Sequence, residues 1–420
     1  MGMTSDASPW HRRATLRQLL IFDAVMEGGS AGAAARRLGL SQPAVTHALN
    51  KLEELLGLPL LRRGQDGSKG TQAGHILHRR IIRLRALISE GLVAAGGGQL
   101  EPREVQMRAT ALTSTQVAAH VAIANGGSFS AAAAMLAISE PAIQRTARDL
   151  ERMVGVALYE RDGQMLAVTQ GGFVLASRMQ LALAEIAQAH DEIAMAQGRA
   201  NGRIALGCLP LMPKGVLAPA LGRLLHRFPH VEVSLEEGSY GSLTAALKQG
   251  KLDMLLGALR SDPRETELEE RHLFDDPYVV VCRRGHPLAQ RSRRPGKADL
   301  ARQGWVAAPS GTPRRTALDR LFATLPQRPP VVLETNSVVM MIATLVESDC
   351  LTLSSRQQAA VDFAGFDLAQ LPLEVAPTDR RVGITLRSNW LPTVVQHAFL
   401  EALVQEQRQD KDRPAPPSVA

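Results

Sequence analysis

Residues 41–53, SQPAVTHALNKLE, return as residues 139–151, SEPAIQRTARDLE, and this pair of stretches decides how the 420-residue chain is read. The offset is 98 (139 − 41), and it holds without a gap on both sides of the quoted stretch. Gly28-Gly29-Ser30 recurs as Gly126-Gly127-Ser128, and Ala33-Ala34-Ala35 as Ala131-Ala132-Ala133. Gly57, Leu60 and Arg63 recur as Gly155, Leu158 and Arg161; Thr71-Gln72 and Gly74 recur as Thr169-Gln170 and Gly172. A repeat of this length marks a duplicated structural unit.

Within the first copy, residues 15–26 place Leu16, Leu19, Leu20, Phe22 and Val25 on one face of a helix. Gly28-Gly29-Ser30 then breaks and recaps the chain, and AGAAARRLGL supplies a short helix whose alanines admit a close neighbour. Gly39 ends that helix, Ser41 is a good N-cap for the next, and Pro43 falls in its first turn. A helix, a tight turn and a capped helix make a helix-turn-helix. Residues 57–74 then predict a hairpin with a Gly-rich tip, and basic residues near such a wing meet phosphate. By shape alone, a small helical bundle with a solvated charged face fits equally well.

Residues 15–75 and 113–173 each resemble the winged helix-turn-helix of the LysR-type transcriptional regulators. The matching elements are GGS-x-x-AA, SQPAV or SEPAI, LE-x-x-x-G, the L-x-R stretch before the wing and TQ-x-G after it. Members of that family normally carry one such unit, so the duplication is a departure. The resemblance implies that Gln42, Ala44, Thr46 and His47 meet base edges, with Gln144 and Arg145 as their counterparts in the second copy. Gln suits adenine and Arg suits guanine in the major groove. Ser41, Arg62, Arg63, Ser139 and Arg161 are the expected phosphate contacts.

The repeat runs on past the wings. Leu77, Ile81, Leu84 and Ile88 are spaced as a helix-pairing seam, and so are Leu175, Met179, Ala182, Ile186, Ala189 and Ile193. The family resemblance implies that this linker helix pairs antiparallel with its copy on a second chain. Here the stretch AAGGGQLEPREVQMR reads as a flexible connector, of ~20–25 Å as a random coil, long enough for both linker helices to pair within one chain. Pairing with a second chain, or decay of one head, are the alternatives.

The copies differ in charge. Residues 1–95 hold 13 Lys/Arg against 7 Asp/Glu, whereas residues 96–200 hold 8 against 10, so the first head is the stronger phosphate binder. Glu140 also replaces Gln42, and a carboxylate there is repelled by phosphate unless it accepts from a cytosine amino group. In shape, Phe129 after Ser128 and the compact wing YERDGQMLAVTQGG match the family better than Gly32 and the Gly-rich first wing. Both heads on DNA, the first alone, or the second alone all stay open.

Whole-chain composition fits this reading. A net charge of +7 is a mild electrostatic pointer to nucleic acid, and only 4% aromatic residues argue against single-strand stacking platforms. Cys208, Cys282 and Cys350 are scattered, giving neither a disulfide framework nor a zinc motif. The N-terminal residues lack the apolar core of a signal peptide, and no apolar run reaches membrane-spanning length, so a cytoplasmic, non-membrane protein is expected.

From Gly202 strands alternate with helices: RIALGCL, VEVSLEEG, LDMLLGA, YVVVCRR, GWVAAP, VVLET, CLTLSS and VGITL read as strands of parallel sheets with crossover connections. FPHVEVSLEEG, LKQGKLDMLLGAL, PYVVVCRRGHPLA and ETNSV resemble the effector-binding domain of the same family, a two-lobed α/β fold like type 2 periplasmic binding proteins. The expected architecture is therefore α/β and multi-domain. A tail covers 1–14, the first winged unit with its linker helix 15–92, the connector 93–111, and the second unit 112–198. The effector domain takes 199–405 and a disordered tail 406–420. Lobe I takes about 202–280 and 374–405, lobe II about 282–370, with crossings near Val279–Arg283 and Leu371–Ala376. The resemblance places a ligand between the lobes, where helix N-termini hold anions. Candidate pocket residues are Leu211, Met212, Ser239, Ser242, Ser310, Gly311, Thr312, Arg314, Arg315, Asn336 and Ser337, the arginines favouring a carboxylate.

No HExxH, GxSxG or P-loop pattern appears, and His75 and His78 on a basic helix read as an exposed face rather than a metal site. The function expected is a DNA-binding transcriptional regulator, not an enzyme. It would need no cofactor or metal, form homo-oligomers, bind promoter DNA, act on RNA polymerase and answer to a carboxylate, sugar or aromatic acid. A co-regulator with weak or lost DNA binding, working through protein partners, is the alternative. A cytoplasmic solute-binding module is a third possibility.

Overall fold

The computed structural model describes residues 13–64, 67–98, 100–162, 165–198, 202–210, 212–260, 265–361, 363, 365–373 and 380–411. Two compact units, Met1–Gly202 and Arg203–Ala420, divide the chain.

In the first unit, most local devices occur twice. Helix α1 (Leu16–Gly28) starts at a capping box between Thr15 and Gln18 and ends at Gly29, whose φ of 68° is left-handed. Ser30 caps α2 (Ala31–Leu38), and Ser41 caps α3 (Gln42–Leu56) with Pro43 in its first turn. The wing follows as antiparallel β1 (Leu61–Gly64) and β2 (Gly67–Gly70), then the linker helix α4 (Gln72–Ala95).

After α5 (Pro102–Ala111) the series repeats. Helices α6 (Ser114–Gly126), α7 (Phe129–Leu136) and α8 (Glu140–Val154) precede the wing β3 (Tyr159–Asp162) and β4 (Met165–Val168), and α9 (Gln170–Ala196) follows. Thr113 and Gln116 rebuild the capping box. Glu53 accepts hydrogen bonds from the amides of Leu60 and Leu61 just as Glu151 does from Leu158 and Tyr159, so the same carboxylate clamps the start of each wing. Gly74 and Gly172 recur because a Cβ at either would collide with the carbonyl oxygen of Leu60 or Leu158. One core position differs in kind: the buried place of Phe22 is taken by His120, whose ring nitrogens lie 2.7 Å from the Tyr159 hydroxyl and 2.9 Å from the Gly172 carbonyl oxygen.

The connector is not wholly flexible as expected. Gly96, Gly97 and Gly98 form only the turn after α4, and α5 then begins with Pro102 in its first turn. Arg108 donates to the Val154 carbonyl and pairs with Glu104, while Val105 and Leu112 enter the shared core. The side chains of PREVQMRATAL thus pin the segment despite its polar composition.

Helices α4 and α9 lie antiparallel within the one chain. Arg80, near the start of α4, reaches Glu185, Gln188 and Glu192 toward the end of α9; Gly91, near the end of α4, packs on Leu175 and Arg178 near the start of α9. Leu77, Ile81, Leu84 and Ile88 are buried in one cluster with Leu175, Met179, Ala182, Ile186, Ala189 and Ile193, the expected seams.

In the second unit two five-stranded sheets are laid out in the orders β6-β5-β7-β14-β8 and β11-β10-β12-β9-β13. The first holds β5 (Arg203–Cys208), β6 (Glu232–Glu237), β7 (Met254–Ala258), β8 (Leu268–Asp275) and β14 (Arg381–Arg387). The second holds β9 (Tyr278–Arg283), β10 (Trp305–Ala307), β11 (Val331–Glu334), β12 (Leu351–Ser355) and β13 (Leu368–Gln370). Strand β5 is parallel to β6 and β7, and β10 to β11 and β12, whereas β14 and β9 run antiparallel to their neighbours. The sheets are therefore mixed rather than purely parallel, because strands that come from the other lobe enter reversed.

The first crossing lies at Asp276-Pro277, between β8 and β9, and not at Val279–Arg283 as expected. Val279, Val280, Val281 and Cys282 are all buried, and such an apolar run belongs inside a sheet. Leu371, at the start of the expected second crossing Leu371–Ala376, still donates its amide to the Val280 carbonyl of the second sheet, and 374–379 lie outside the described residues. Asp276 and Arg380, one at each crossing, form a buried ion pair at 2.5 Å. Helix α10 (Lys214–Arg227) packs on the last helix, α16 (Val394–Lys411), which continues beyond the expected end at 405 because Glu406 is buried and paired with Arg223; the short helices α12 (Lys297–Ala301) and α15 (Arg356–Val361) lie between them in the chain. The rest of the expected tail, 412–420, lies outside the described residues.

Candidate DNA interface and effector cleft

Helix α3 is two-sided by sequence. Val45, Leu49, Leu52 and Leu56 face the core, which leaves Gln42, Ala44 and His47 exposed and Thr46 half-buried at its first turns. The Ser41 hydroxyl accepts from the Ala44 amide. In α8 the same spacing buries Ile143, Ala147, Leu150 and Val154 and exposes Arg145. Gln144 is half-buried, and its amide donates to Glu140 at 3.1 Å; Ser139 makes no side-chain cap bond.

The wings separate the heads further. Register sets Arg62 opposite Lys69 in the first, two cations on one face, whereas Glu160 stands opposite Ala167 in the second. Arg62 is exposed; the backbones of Arg63 and Arg161 lie on β1 and β3, while their side chains fall outside the described residues.

Asp23, Glu27 and His78 come together in the first unit in a way that resembles a ligand set. Arg85 fills it: its guanidinium pairs with Asp23 at 2.5 Å and with Glu27 at 3.0 Å, and His78 adds a contact to Asp23 at 3.2 Å. The group ties α1 to α4 as an ion-pair network.

Between the lobes of the second unit lies a cavity of about 1070 Å³. Helices α11 (Tyr240–Lys248), α13 (Pro313–Ala323) and α14 (Val338–Val346) present their N-cap residues Ser239, Thr312 and Ser337 to it, so three helix N-termini converge. Ser310, Gly311 and Asn336 also line it. Arg314 is 6% exposed, yet among the described residues its guanidinium meets only the Met341 sulfur at 3.0 Å and the Thr335 carbonyl at 3.4 Å. Burial lowers its pKa to about 10, and the neighbouring Arg380 pushes the same way. Arg380 is already paired with Asp276, so the buried charge left for an anion is that of Arg314.

Other expected wall residues sit elsewhere. Arg315 turns away, bonded to Glu334 at 2.6 Å and to Asp319 at 3.2 Å, so its charge is already compensated. Met212 is buried outside the wall, and Ser242 is one turn into α11, bonded to Ser239. Leu211 lies outside the described residues.

Four aromatic and basic residues were not anticipated. Tyr240 and Tyr278 line the cavity, with the Arg260 guanidinium 4.7 Å from the centre of the Tyr240 ring and that of Arg380 5.6 Å from Tyr278. Arg260 follows the strand stretch LDMLLGAL just as Ser310 follows GWVAAP, so its place near the cleft was legible in the sequence. Arg380 precedes the last strand, and its place in the cleft depends on the crossing. Burial pushes the thiols of Cys208 and Cys282 up to about 12, which leaves both inert at neutral pH.

Helix-turn-helix heads joined to a two-lobed cleft define a ligand-responsive transcriptional regulator. The bacterial regulatory helix-turn-helix model of the lysR family matches residues 16–75 and again 114–173, and the LysR substrate binding domain model matches residues 197–408. The chain belongs to the LysR family of transcriptional regulators.

It is similar to the HTH-type transcriptional regulator GalR of Pseudomonas putida, 29% identical over 391 residues that span 93% of this chain and 96% of the relative. An alignment that long leaves out neither head. PcaQ of Agrobacterium fabrum is 28% identical over 290 residues, 67% of this chain and 91% of the relative. Full-length OxyR from Pseudomonas aeruginosa shares the fold, with a TM-score of 0.50 at 18% identity over 70% of this chain and 94% of that one. No helix among the described residues is long and apolar enough to cross a membrane.

Proposed function

We propose that the effector of this regulator is an organic anion, most simply a carboxylate on a ring-bearing body, held in the cleft of the second unit. The observation that carries this reading is Arg314: a guanidinium almost wholly buried, lining the cavity, with no carboxylate partner among the described residues. Thr312, Ser337 and Ser239 mark the helix N-termini around it, and Ser310, Gly311 and Asn336 supply further polar groups. Tyr240 and Tyr278 on the walls suit a planar apolar body.

On the DNA side, Gln42, Ala44, Thr46 and His47 of the first head and Gln144 and Arg145 of the second meet bases. Ser41, Arg62, Arg63, Ser139 and Arg161 meet phosphates. Closure of the lobes on the effector would shift the heads and alter polymerase recruitment. The protein works in the cytoplasm and catalyses no reaction.

The test is thermal stabilisation and calorimetry on the full chain with benzoate-type acids, their amides and neutral sugars. Acids should bind and amides should not, and Arg314→Gln should weaken acid binding by about 100-fold, the worth of a charge-assisted pair. Equal binding of acid and amide, or binding indifferent to Arg314→Gln, would overturn the assignment.

A further inference from the structure

Members of the LysR family normally carry one head per chain and obtain the second from a partner; in this chain the second head is covalently present, and the packing of the linker helices tells which helix pairs with which. Arg80 is wholly buried between α4 and α9, 2.7 Å from Glu185, 3.0 Å from Glu192 and 2.6 Å from Gln188. The 98-residue offset carries Arg80 onto Arg178, and Glu185, Gln188 and Glu192 onto Leu87, Glu90 and Ala94. Arg178 approaches Glu90 at 3.7 Å, the image of the Arg80–Gln188 contact, so the two arms are related by an approximate two-fold exchange. Leu16 donates its amide to Ser114, its own counterpart under the same offset, at 2.8 Å.

The chemistry around that approximate axis is not symmetric. Were α9 to pair with α9 of a second copy in the same geometry, Glu185 and Glu192 from both sides would place four carboxylates around two Arg178 guanidiniums. A buried excess of negative charge of that kind is strongly destabilising. The pairing of α4 with α9 instead sets two cations, Arg79 and Arg80, against Glu185 and Glu192, whereas the counterpart of Arg79 on α9 is the uncharged Ser177. The segment joining them is also anchored, with α5 held by Arg108 and by Val105 and Leu112, so α9 is delivered back onto its own α4 rather than released to another chain. Linkage of this sort makes the partner effectively concentrated and favours pairing within the chain.

The two reading surfaces carried on these arms differ at equivalent places. Gln42 is matched by Glu140, Thr46 by Gln144 and His47 by Arg145, while Ala44 is matched by Ala142. Side chains of such different hydrogen-bonding character favour different bases. We propose that one polypeptide is a complete two-headed DNA reader, its linker helices paired with each other, and that its binding partner is a double-stranded operator with two unlike half-sites. This rests on the assignment of the two recognition helices as base readers.

Two measurements on the full chain test it. Gly91→Cys with Arg178→Cys puts a thiol pair where the two backbones approach, an added Cβ at Gly91 standing 2.9 Å from that of Arg178. Oxidation should give a crosslinked monomer on a denaturing gel, and a covalent dimer would overturn pairing within the chain. The second measurement is selection from a random double-stranded DNA library. The expected consensus has two different halves. Thr46→Ala with His47→Ala should relax one half, and Gln144→Ala with Arg145→Ala the other, by about tenfold per lost base contact. A perfectly palindromic consensus, or two halves relaxed together by either pair, would overturn the unlike-reader proposal. A chain that selects no sequence at all would instead refute the reader assignment, with the crosslink still deciding the pairing.

Discussion

His120 shows how one duplicated position has acquired a chemistry its twin lacks. Its imidazole is buried, and desolvation lowers its pKa from 6.5 to about 4, so the folded second head holds it neutral. The unfolded chain binds a proton near pH 6.5 that the folded one refuses. The stability this group confers is therefore complete above 6.5 and is lost as pH falls toward 4, by on the order of 3 kcal/mol. Thermal unfolding of the full chain from pH 7 to 4 should show that loss. His120→Phe, which installs the residue found at Phe22, should flatten the curve while costing some stability at pH 7, since Tyr159 loses a partner. Parallel curves for the two proteins would refute the assignment. At this scale the sequence is only partly readable. Arg314 could be picked out as a residue in the first turn of a helix at a strand end, but its neighbour Arg315 satisfies the same rule. What separates them is that Glu334 and Asp319 lie on Arg315's side of the helix, a fact of tertiary placement.

Elements are more legible than residues, because caps and apolar spacing are local. Thr15 with Gln18, Ser30 and Ser41 start the helices that their side chains suggest, and Gly29, Gly39 and Gly57 close them in left-handed conformations. Strand β8, LEERHLFD, was missed because charged residues dominate it and only Leu268, Leu273 and Phe274 are buried, so its pairing with β14 leaves little trace of alternation. The helix α5 was missed for the opposite reason: neighbouring glycines and a proline marked a linker, while the apolar contacts that order it come from elsewhere in the chain. The repeated glycines after each wing offer a direct test of element packing. Gly74→Ala and Gly172→Ala each drive a methyl group into a backbone carbonyl that cannot turn aside, and each should cost about 1–3 kcal/mol in chemical denaturation. Gly222→Ala in α10 meets nothing within 4 Å and should stabilise by up to about 1 kcal/mol. Equal effects at all three sites would show that helix propensity, and not the wing junction, explains the glycines.

For the whole molecule, duplication frees the two heads to divide labour in a way two identical chains cannot. A symmetric dimer must spend the same charges at both half-sites, whereas here the first arm is basic and the second slightly acidic, 13 Lys/Arg against 7 Asp/Glu over residues 1–95 and 8 against 10 over 96–200. That imbalance was readable in the sequence; its location was not, since only the register sets Arg62 beside Lys69 and puts Glu160 in the corresponding place of the second wing. Counterion release turns the difference into a measurable slope. Each phosphate contact contributes about −0.9 to the dependence of log K on log salt. Arg62→Ala with Lys69→Ala should therefore make that slope shallower by about 2 and weaken binding to all sequences alike. Glu160→Ala should act in the opposite direction, strengthening binding at low salt and losing that advantage as salt rises, because it removes a carboxylate from beside a phosphate. Should the first pair leave the slope unchanged while Glu160→Ala weakens binding, the anchor would be the second head, and the excess of positive charge on the first would serve some contact other than DNA.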